Sequence, residues 1–150
     1  MINNYLERQI KEYFPYQPTF EQELAIKSLA KFLVSTQSEA LFLLRGFAGT
    51  GKTSLIAALV QALDALKQKC LLMAPTGRAA KVFSLYAHHP AFTIHKKIYR
   101  QRSFDNAVDN FALADNLQKH TLFLIDEASM IANDGLSGSL FGTGRDRKST

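Results

Sequence analysis

The chain contains 150 residues, of which 47% are hydrophobic and 21% are charged, a composition typical of one globular domain and not of a disordered segment. Its net charge of +5 favours polyanionic partners such as nucleic acid. No apolar run approaches the roughly 20 residues that cross a bilayer, and the first residues contain no long apolar signal segment, so we expect a cytoplasmic protein.

The apolar pattern alternates between amphipathic helices and short runs that are apolar throughout. Runs of the second kind are typical of strands buried on both faces. Thr19 and Gln22 have the spacing of a capping box at the start of the first helix. The predicted helices cover residues 20–34 and 52–67, and the predicted strands cover residues 40–44, 70–74 and 121–125. We therefore predict an α/β fold with a parallel sheet flanked by helices, whose ligands bind beyond the carboxyl ends of the strands.

Cys70 is the single cysteine of the sequence and lies inside a predicted strand. It can form no internal disulfide, so core packing is its expected role. The pair in His88-His89-Pro90 has no acidic residue or cysteine at a metal-ligand spacing along the chain. We interpret that segment as a surface turn.

The segment between the first predicted strand and the second predicted helix reads GFAGTGKT and matches the P-loop pattern G-x-x-x-x-G-K-[ST]. Glycines let backbone N–H groups converge on phosphate oxygens, and the following helix presents its positive end to the same anion. Lys52 is expected to reach the β- and γ-phosphates of ATP, and Thr53 a Mg²⁺ ion. The alternative is a glycine-rich turn without a ligand. The predicted nucleotide-binding residues of the loop are Gly46, Ala48, Gly49, Thr50, Gly51, Lys52 and Thr53.

Two carboxylates follow the last predicted strand, in LFLIDEAS. A carboxylate at a strand end beside a P-loop holds Mg²⁺ in many nucleotide hydrolases, and we assign this role to Asp126. Glu127 points away from Asp126, because successive strand residues point to opposite faces. A second carboxylate near the γ-phosphate is suited to polarising the attacking water, so Glu127 is the candidate base. The alternative is a charged strand end that meets solvent. With Lys52, these two residues form the predicted catalytic set.

Three further motifs identify a family that the chain resembles. APTGRAAK at 74–81, TIHK at 93–96 and DEASM at 126–130, together with the P-loop, resemble the RecD-like and Pif-family DNA helicases of superfamily one. The resemblance runs from about residue 16 to about residue 145. It implies an incomplete RecA-like P-loop NTPase domain that uses ATP and Mg²⁺ to move 5′ to 3′ along single-stranded DNA.

The resemblance also implies roles for individual residues. Gln22, in the context PTFEQ, is implied to recognise adenine. The alternative for Arg78 and the neighbouring Lys81 is a solvated helix face, and the alternative for His95 is a polar helix cap. The residues implied to contact single-stranded DNA are Pro75, Thr76, Gly77, Arg78 and His95.

Residues 1–131 are the predicted ATPase part, with a small inserted subdomain at about 97–120 and a loop or disordered tail at 132–150. Phe104 and Phe111 in the insert either stack on bases or, the favoured interpretation, close a small hairpin core. The family continues with a G-D-x-x-Q type motif and a second RecA-like domain, which this sequence does not contain. We therefore expect a longer helicase whose C-terminal domain or domains are a partner of this chain.

The sequence leaves two other functions open. One is a P-loop ATPase of another class, and the other is a non-catalytic fragment that binds nucleotide or DNA. For residues 1–150 alone we expect weak ATP binding at most and no unwinding, because the arginine finger of the family comes from the second domain. We also expect poor solubility, because the sheet would expose strand edges and apolar faces that the second domain covers in the family.

Overall fold

The computed structural model describes residues 2–37, 39–101, 111–113 and 120–131, with the side chains of 99–101 and 111–113 left out. A 3₁₀ turn, Ala128–Met130, follows the last strand. The helices are α1 (Ile2–Tyr13), α2 (Phe20–Leu33), α3 (Lys52–Ala65), α4 (Gly77–Ala87) and α5 (Ile94–Ile98). The strands are β1 (Lys69–Ala74), β2 (Ala91–Thr93), β3 (Tyr99–Gln101), β4 (Phe111–Leu113) and β5 (Thr121–Ile125).

Three strands form a parallel sheet in the order β2-β1-β5. On β1, Leu72 lies opposite Ala91 of β2 and Leu124 of β5. The N–H of Asp126 donates to the carbonyl of Met73 at 3.0 Å, which continues the ladder one residue beyond β5. The predicted α/β fold, with a parallel sheet flanked by helices, is confirmed.

The strand predicted at residues 40–44 is absent, which corrects the sequence-based assignment. The segment is also not buried on both faces, as the continuous apolar run had predicted: Leu41 and Leu43 are 88% and 65% exposed, whereas Phe42 and Leu44 pack against the core. The rings of Phe32 and Phe42 lie 5.5 Å apart. An apolar run indicates that side chains can be buried, but a strand also needs a hydrogen-bonded neighbour. Among the described residues, none pairs with this segment.

The larger core lies between α1, α2 and α3. Ile10, Ile26 and Leu59, one from each helix, are completely buried at its centre. The sequence reading had not identified α1, whose Leu6 and Ile10 are its buried positions. A smaller cluster, built around Leu72 and Phe83, joins α3 and α4 to the sheet.

Cys70 packs against both of these clusters, as expected from its position in an apolar run. Burial raises the pKa of its thiol to about 11, and the negative charge of Asp64 contributes to the same shift. The thiol is therefore protonated at neutral pH.

The ends of α2 and α4 follow from local sequence. The capping box predicted for α2 is present: the N–H of Gln22 donates to the Thr19 hydroxyl at 3.3 Å, and the N–H of Thr19 donates to the Gln22 side chain at 2.9 Å. Helix α4 begins after Thr76 and ends at Ala87, and the next residue, His88, has a left-handed φ of 51°. The chain can therefore turn from α4 into β2.

Within the predicted insert, β3 and β4 pair in antiparallel fashion. The subdomain assignment itself remains a prediction. Phe104 and the predicted tail at 132–150 lie outside the described residues, as does the side chain of Phe111. No helix in the described ranges is long and apolar enough to cross a membrane.

Candidate functional site

The P-loop enters α3 through two left-handed glycines. Gly49 has φ of 78° and Gly51 has φ of 85°, a region that residues with a Cβ rarely adopt. Gly51 is the N-cap of α3, and no side-chain hydrogen bond caps the helix there. The N–H groups of the first turn therefore remain available to an anion, at the positive end of the helix dipole.

Two of the loop glycines also allow a neighbouring side chain to lie close to the backbone of the loop. A Cβ on Gly46 would lie 2.8 Å from the hydroxyl of Thr50, and a Cβ on Gly51 would lie 2.5 Å from Nε2 of Gln22. Neither distance is compatible with a side chain unless the neighbouring group shifts. The requirement for glycine at 51 is therefore both conformational and steric.

Lys52 lies across the loop that precedes it. Its Nζ donates to the carbonyls of Gly46 at 2.5 Å and Phe47 at 2.6 Å. The loop is closed further by the Thr50 hydroxyl, which donates to the Phe47 carbonyl at 2.8 Å. The ammonium group is therefore at the centre of the loop, where phosphate oxygens can replace these carbonyls as its hydrogen-bond acceptors. Thr53 follows in the first turn of α3 and is exposed.

Gln22 connects α2 to the P-loop. Its Nε2 donates to the carbonyl of Thr50 at 2.9 Å, while its Oε1 accepts the N–H of Thr19 in the capping box. Both ends of the amide are thus bonded within the chain. Adenine recognition by Gln22 remains a prediction, and the contact with the loop is one that sequence reasoning missed.

Asp126 is held by a tyrosine that the sequence had not indicated. The hydroxyl of Tyr86, on α4, donates to Oδ2 of Asp126 at 2.5 Å. Burial raises the pKa of Tyr86 far above its usual value, and the hydrogen bond and charge of Asp126 raise it further. The hydroxyl therefore stays protonated and orients the carboxylate. The two residues are 40 positions apart in the sequence, which explains why no local pattern shows the pair.

Glu127 lies where the chain leaves the sheet. Its φ of 52° is left-handed, and its N–H donates to Oδ1 of Asp126 at 2.9 Å. The side chain is exposed. Its role as the base remains a prediction, as does Mg²⁺ binding by Asp126 and Thr53.

The segment from Pro75 to Arg78 connects β1 to α4. The Thr76 hydroxyl caps the helix by accepting the N–H of Ala79 at 3.1 Å. Gly77 is the first residue of α4, and a Cβ there would meet no heavy atom of the described residues within 4 Å. Arg78 is exposed. Thr76, Gly77 and Arg78 are therefore on an open surface, whereas Pro75 is partly buried.

A cleft of about 370 Å³ separates α4 from the segment that contains β2 and α5. Gly77 and Lys81 line it from α4, and Thr93 and Lys96 from the other side. Phe92 also lines the cleft, and Nζ of Lys97 lies 3.9 Å from the centre of its ring. His95 lies on α5 beside Lys96. The fold thus brings APTGRAAK and TIHK to one cleft.

The nucleotide and DNA candidates share one edge of the sheet. Residues 66–68 alone connect α3 to β1, so the two elements run in opposite directions. Helix α3 is about 21 Å long and β1 about 20 Å, so the start of α3 lies near the carboxyl end of β1. The segment after β1 and Asp126 after β5 lie at the same edge because these strands are parallel.

Comparison with known proteins gives one family. The family model described as an AAA domain matches residues 21–140, which include the P-loop, the cleft and both carboxylates. Proteins of this group are nucleotide-binding P-loop ATPases, and they typically bind ATP with Mg²⁺. No significant match was found among curated proteins or among solved structures.

Proposed function

The chain belongs to the AAA domain family, and from this premise we propose that it is the ATP-binding part of an ATP-dependent DNA helicase that moves 5′ to 3′ along single-stranded DNA. The observation that carries the proposal is the cleft between α4 and β2–α5. It joins Gly77 and Lys81 to Thr93 and Lys96 at the sheet edge where the P-loop also lies. The direction of movement rests on the resemblance to the RecD-like and Pif-family helicases.

The loop geometry supports the roles that we propose at the nucleotide end. ATP and Mg²⁺, when bound, would supply the γ-phosphoryl group and positive charge beside the phosphates. Lys52 would exchange its two carbonyl partners for phosphate oxygens, and Thr53 and Asp126 would hold the ion. Glu127 accepts the proton of the attacking water. Each role uses a side chain at the carboxyl edge of the sheet.

At the DNA end, the proposed contacts come from positively charged side chains and from exposed backbone N–H groups. The start of α4 offers N–H groups to a phosphate, and the cations of the cleft add sequence-independent attraction. Phe92 offers a ring beside the same path. Such contacts hold a strand without reading its sequence, as a motor that moves along DNA requires.

Helix α4 connects the two ends. Its first turn lines the cleft, and Tyr86 near its other end holds Asp126. A shift of α4 on DNA binding therefore moves the hydroxyl that orients the carboxylate. We assign Tyr86 the role of a positioning residue that links DNA binding to Mg²⁺ coordination.

The test is a titration of labelled single-stranded and duplex oligonucleotides of the same sequence. We expect preference for the single strand. Joint replacement Lys81→Gln and Lys96→Gln should weaken that binding and lower the salt-dependence slope by about 1.4, at about 0.7 per cation, without changing MgATP affinity. The control, Lys27→Gln with Lys31→Gln, removes the same charge from exposed positions of α2.

Equal affinity for both DNA forms, or equal loss with both pairs of substitutions, would contradict the proposal. MgATP binding without any preference for single-stranded DNA would instead favour a P-loop ATPase of another class. Binding of both ligands without ATP turnover would favour the non-catalytic alternative.

A further inference from the structure

Three potential metal ligands from separate elements converge at one point. Asp64 lies in the last turn of α3, Cys70 is the second residue of β1, and His89 follows α4. The Nε2 atom of His89 lies 3.8 Å from Sγ of Cys70 and 3.8 Å from Oδ1 of Asp64. Ligand atoms of the three residues all lie within 4.8 Å of one another.

The His89 ring is oriented as a ligand would be. Its Nδ1 lies 3.0 Å from the carbonyl oxygen of Pro90. A carbonyl oxygen only accepts, so Nδ1 carries the proton and the neutral ring has its lone pair on Nε2. That lone pair faces the sulfur and the carboxylate. Histidines that bind metals generally donate their second ring N–H to a carbonyl or carboxylate in this way.

We propose that Asp64, Cys70 and His89 form a binding site for a borderline-soft divalent cation of the zinc class. In a tetrahedral zinc site, N, O and S ligands lie about 3.3 to 3.6 Å from one another, given metal-ligand distances of about 2.0 to 2.3 Å. The two distances at Nε2 therefore need to shorten by only a few tenths of an ångström. The mixture of sulfur, imidazole and carboxylate selects zinc-class ions over Mg²⁺ and Ca²⁺, which prefer oxygen alone.

The cluster does not have the geometry of a nucleophilic triad. In a triad the base contacts the nucleophile through one ring nitrogen and the carboxylate through the other. Here sulfur and carboxylate both approach Nε2 of His89, and Nδ1 is engaged by Pro90. Convergence on a single point favours coordination over proton relay.

The position of the cluster indicates a structural role. The end of α3 and the start of β1 lie at the sheet edge opposite the P-loop, so the ion would be remote from the nucleotide. It would tie together α3, β1 and the turn after α4. The Asp64 side chain is 50% exposed and that of His89 is 23% exposed, so solvent can supply the fourth ligand. Coordination displaces the Cys70 thiol proton to solvent.

The test uses the 150-residue chain with Zn²⁺ or Co²⁺ alone, and it does not depend on ATP or DNA. Since Cys70 is the only cysteine, thiolate-to-cobalt charge-transfer absorption reports on this site directly. We expect one equivalent of Co²⁺ to produce that absorption and Zn²⁺ to abolish it. We also expect bound Zn²⁺ to slow alkylation of the thiol.

The variants locate the ligands. His89→Asn and Asp64→Asn should each weaken Zn²⁺ binding by about 100-fold or more, since losing even an outer-shell partner costs 10- to 100-fold. His88→Asn is the matched control, because it changes the adjacent histidine and asparagine tolerates the left-handed backbone there. Asp64 is exposed on a helix, so Asp64→Asn tests the site even if His89→Asn alters the turn.

The proposal is overturned if stoichiometric Co²⁺ gives no thiolate absorption. It is equally overturned if Asp64→Asn and His89→Asn bind Zn²⁺ as the unchanged chain does, or if His88→Asn loses as much affinity as His89→Asn. The last result would indicate adventitious binding by the histidine pair.

Discussion

Replacing Gly51 by alanine tests whether the contact between α2 and the P-loop contributes to stability. Gly51 has φ of 85°, and a Cβ there would lie 2.5 Å from Nε2 of Gln22. That atom is the end of a flexible side chain, so it can move aside. Moving it breaks its hydrogen bond of 2.9 Å to the carbonyl of Thr50.

The structure offers a matched control in the same loop. Gly49 has φ of 78°, and a Cβ there would meet no atom of the described chain within 4 Å. Gly49→Ala therefore has only the cost of a left-handed alanine, about 1 to 2 kcal/mol. Gly51→Ala has the same cost plus about 1 kcal/mol for the lost hydrogen bond. We expect it to lower the free energy of unfolding by about 1 kcal/mol more than Gly49→Ala does.

The assay is urea unfolding followed by circular dichroism. Gln22→Ala added to each glycine variant gives the coupling between the two positions. Because Gly51→Ala has already broken the contact with Thr50, Gln22→Ala should cost about 1 kcal/mol less in that background than in Gly49→Ala. Equal destabilisation by the two glycine variants, or no such coupling, would show that the Gln22 contact has no energetic role.

The remaining predictions concern the nucleotide residues and the core. Lys52→Ala should weaken MgATP binding strongly, because the loop loses its mobile cation; unchanged affinity in a fluorescence titration would refute the P-loop role. In any form of the protein that hydrolyses ATP, Glu127→Gln should retain ATP binding while hydrolysis falls by about 100-fold, and near-normal turnover would place the base elsewhere. Tyr86→Phe should lower the free energy of unfolding by about 1.5 kcal/mol and weaken the Mg²⁺ dependence of nucleotide binding, whereas a stability loss alone would leave it no positioning role. In chemical denaturation Phe42→Ala should cost about 2 kcal/mol and the exposed Leu41→Ala less than about 0.5, and similar losses would contradict the alternating burial.

Local sequence was sufficient for the P-loop and the helices that flank it. Thr19 and Gln22 form a capping box because the partners are three residues apart, and the loop glycines must be where the chain turns into α3. Helical periodicity placed α2 and α3 nearly to their ends. The strands β1 and β5 were also identified, since each is a nearly continuous apolar run. In the structure the two strands pair with each other.

The strand predicted at 40–44 failed for a reason that the sequence could not supply. The expected burial on both faces is also wrong, because Phe42 packs against the core while Leu41 is in solvent. Strand formation, however, is a property of two backbones. Whether a neighbour is present depends on the order of strands in the sheet, which the apolar pattern of one segment does not contain.

Tertiary structure alone decided two side-chain contacts, one in the nucleotide site and one in the Asp64–Cys70–His89 cluster. Tyr86 meets Asp126 across 40 residues, and His89 meets Cys70 across 19, so neither pair has a spacing that a motif could record. No acidic residue or cysteine lies at a metal-ligand spacing from His89 in the sequence, but the fold brings Asp64 and Cys70 next to it. Short-range hydrogen bonding and periodicity fixed α2, α3 and the P-loop, because their causes lie within a few residues. The parallel stacking of those elements decided which distant side chains meet at each edge of the sheet.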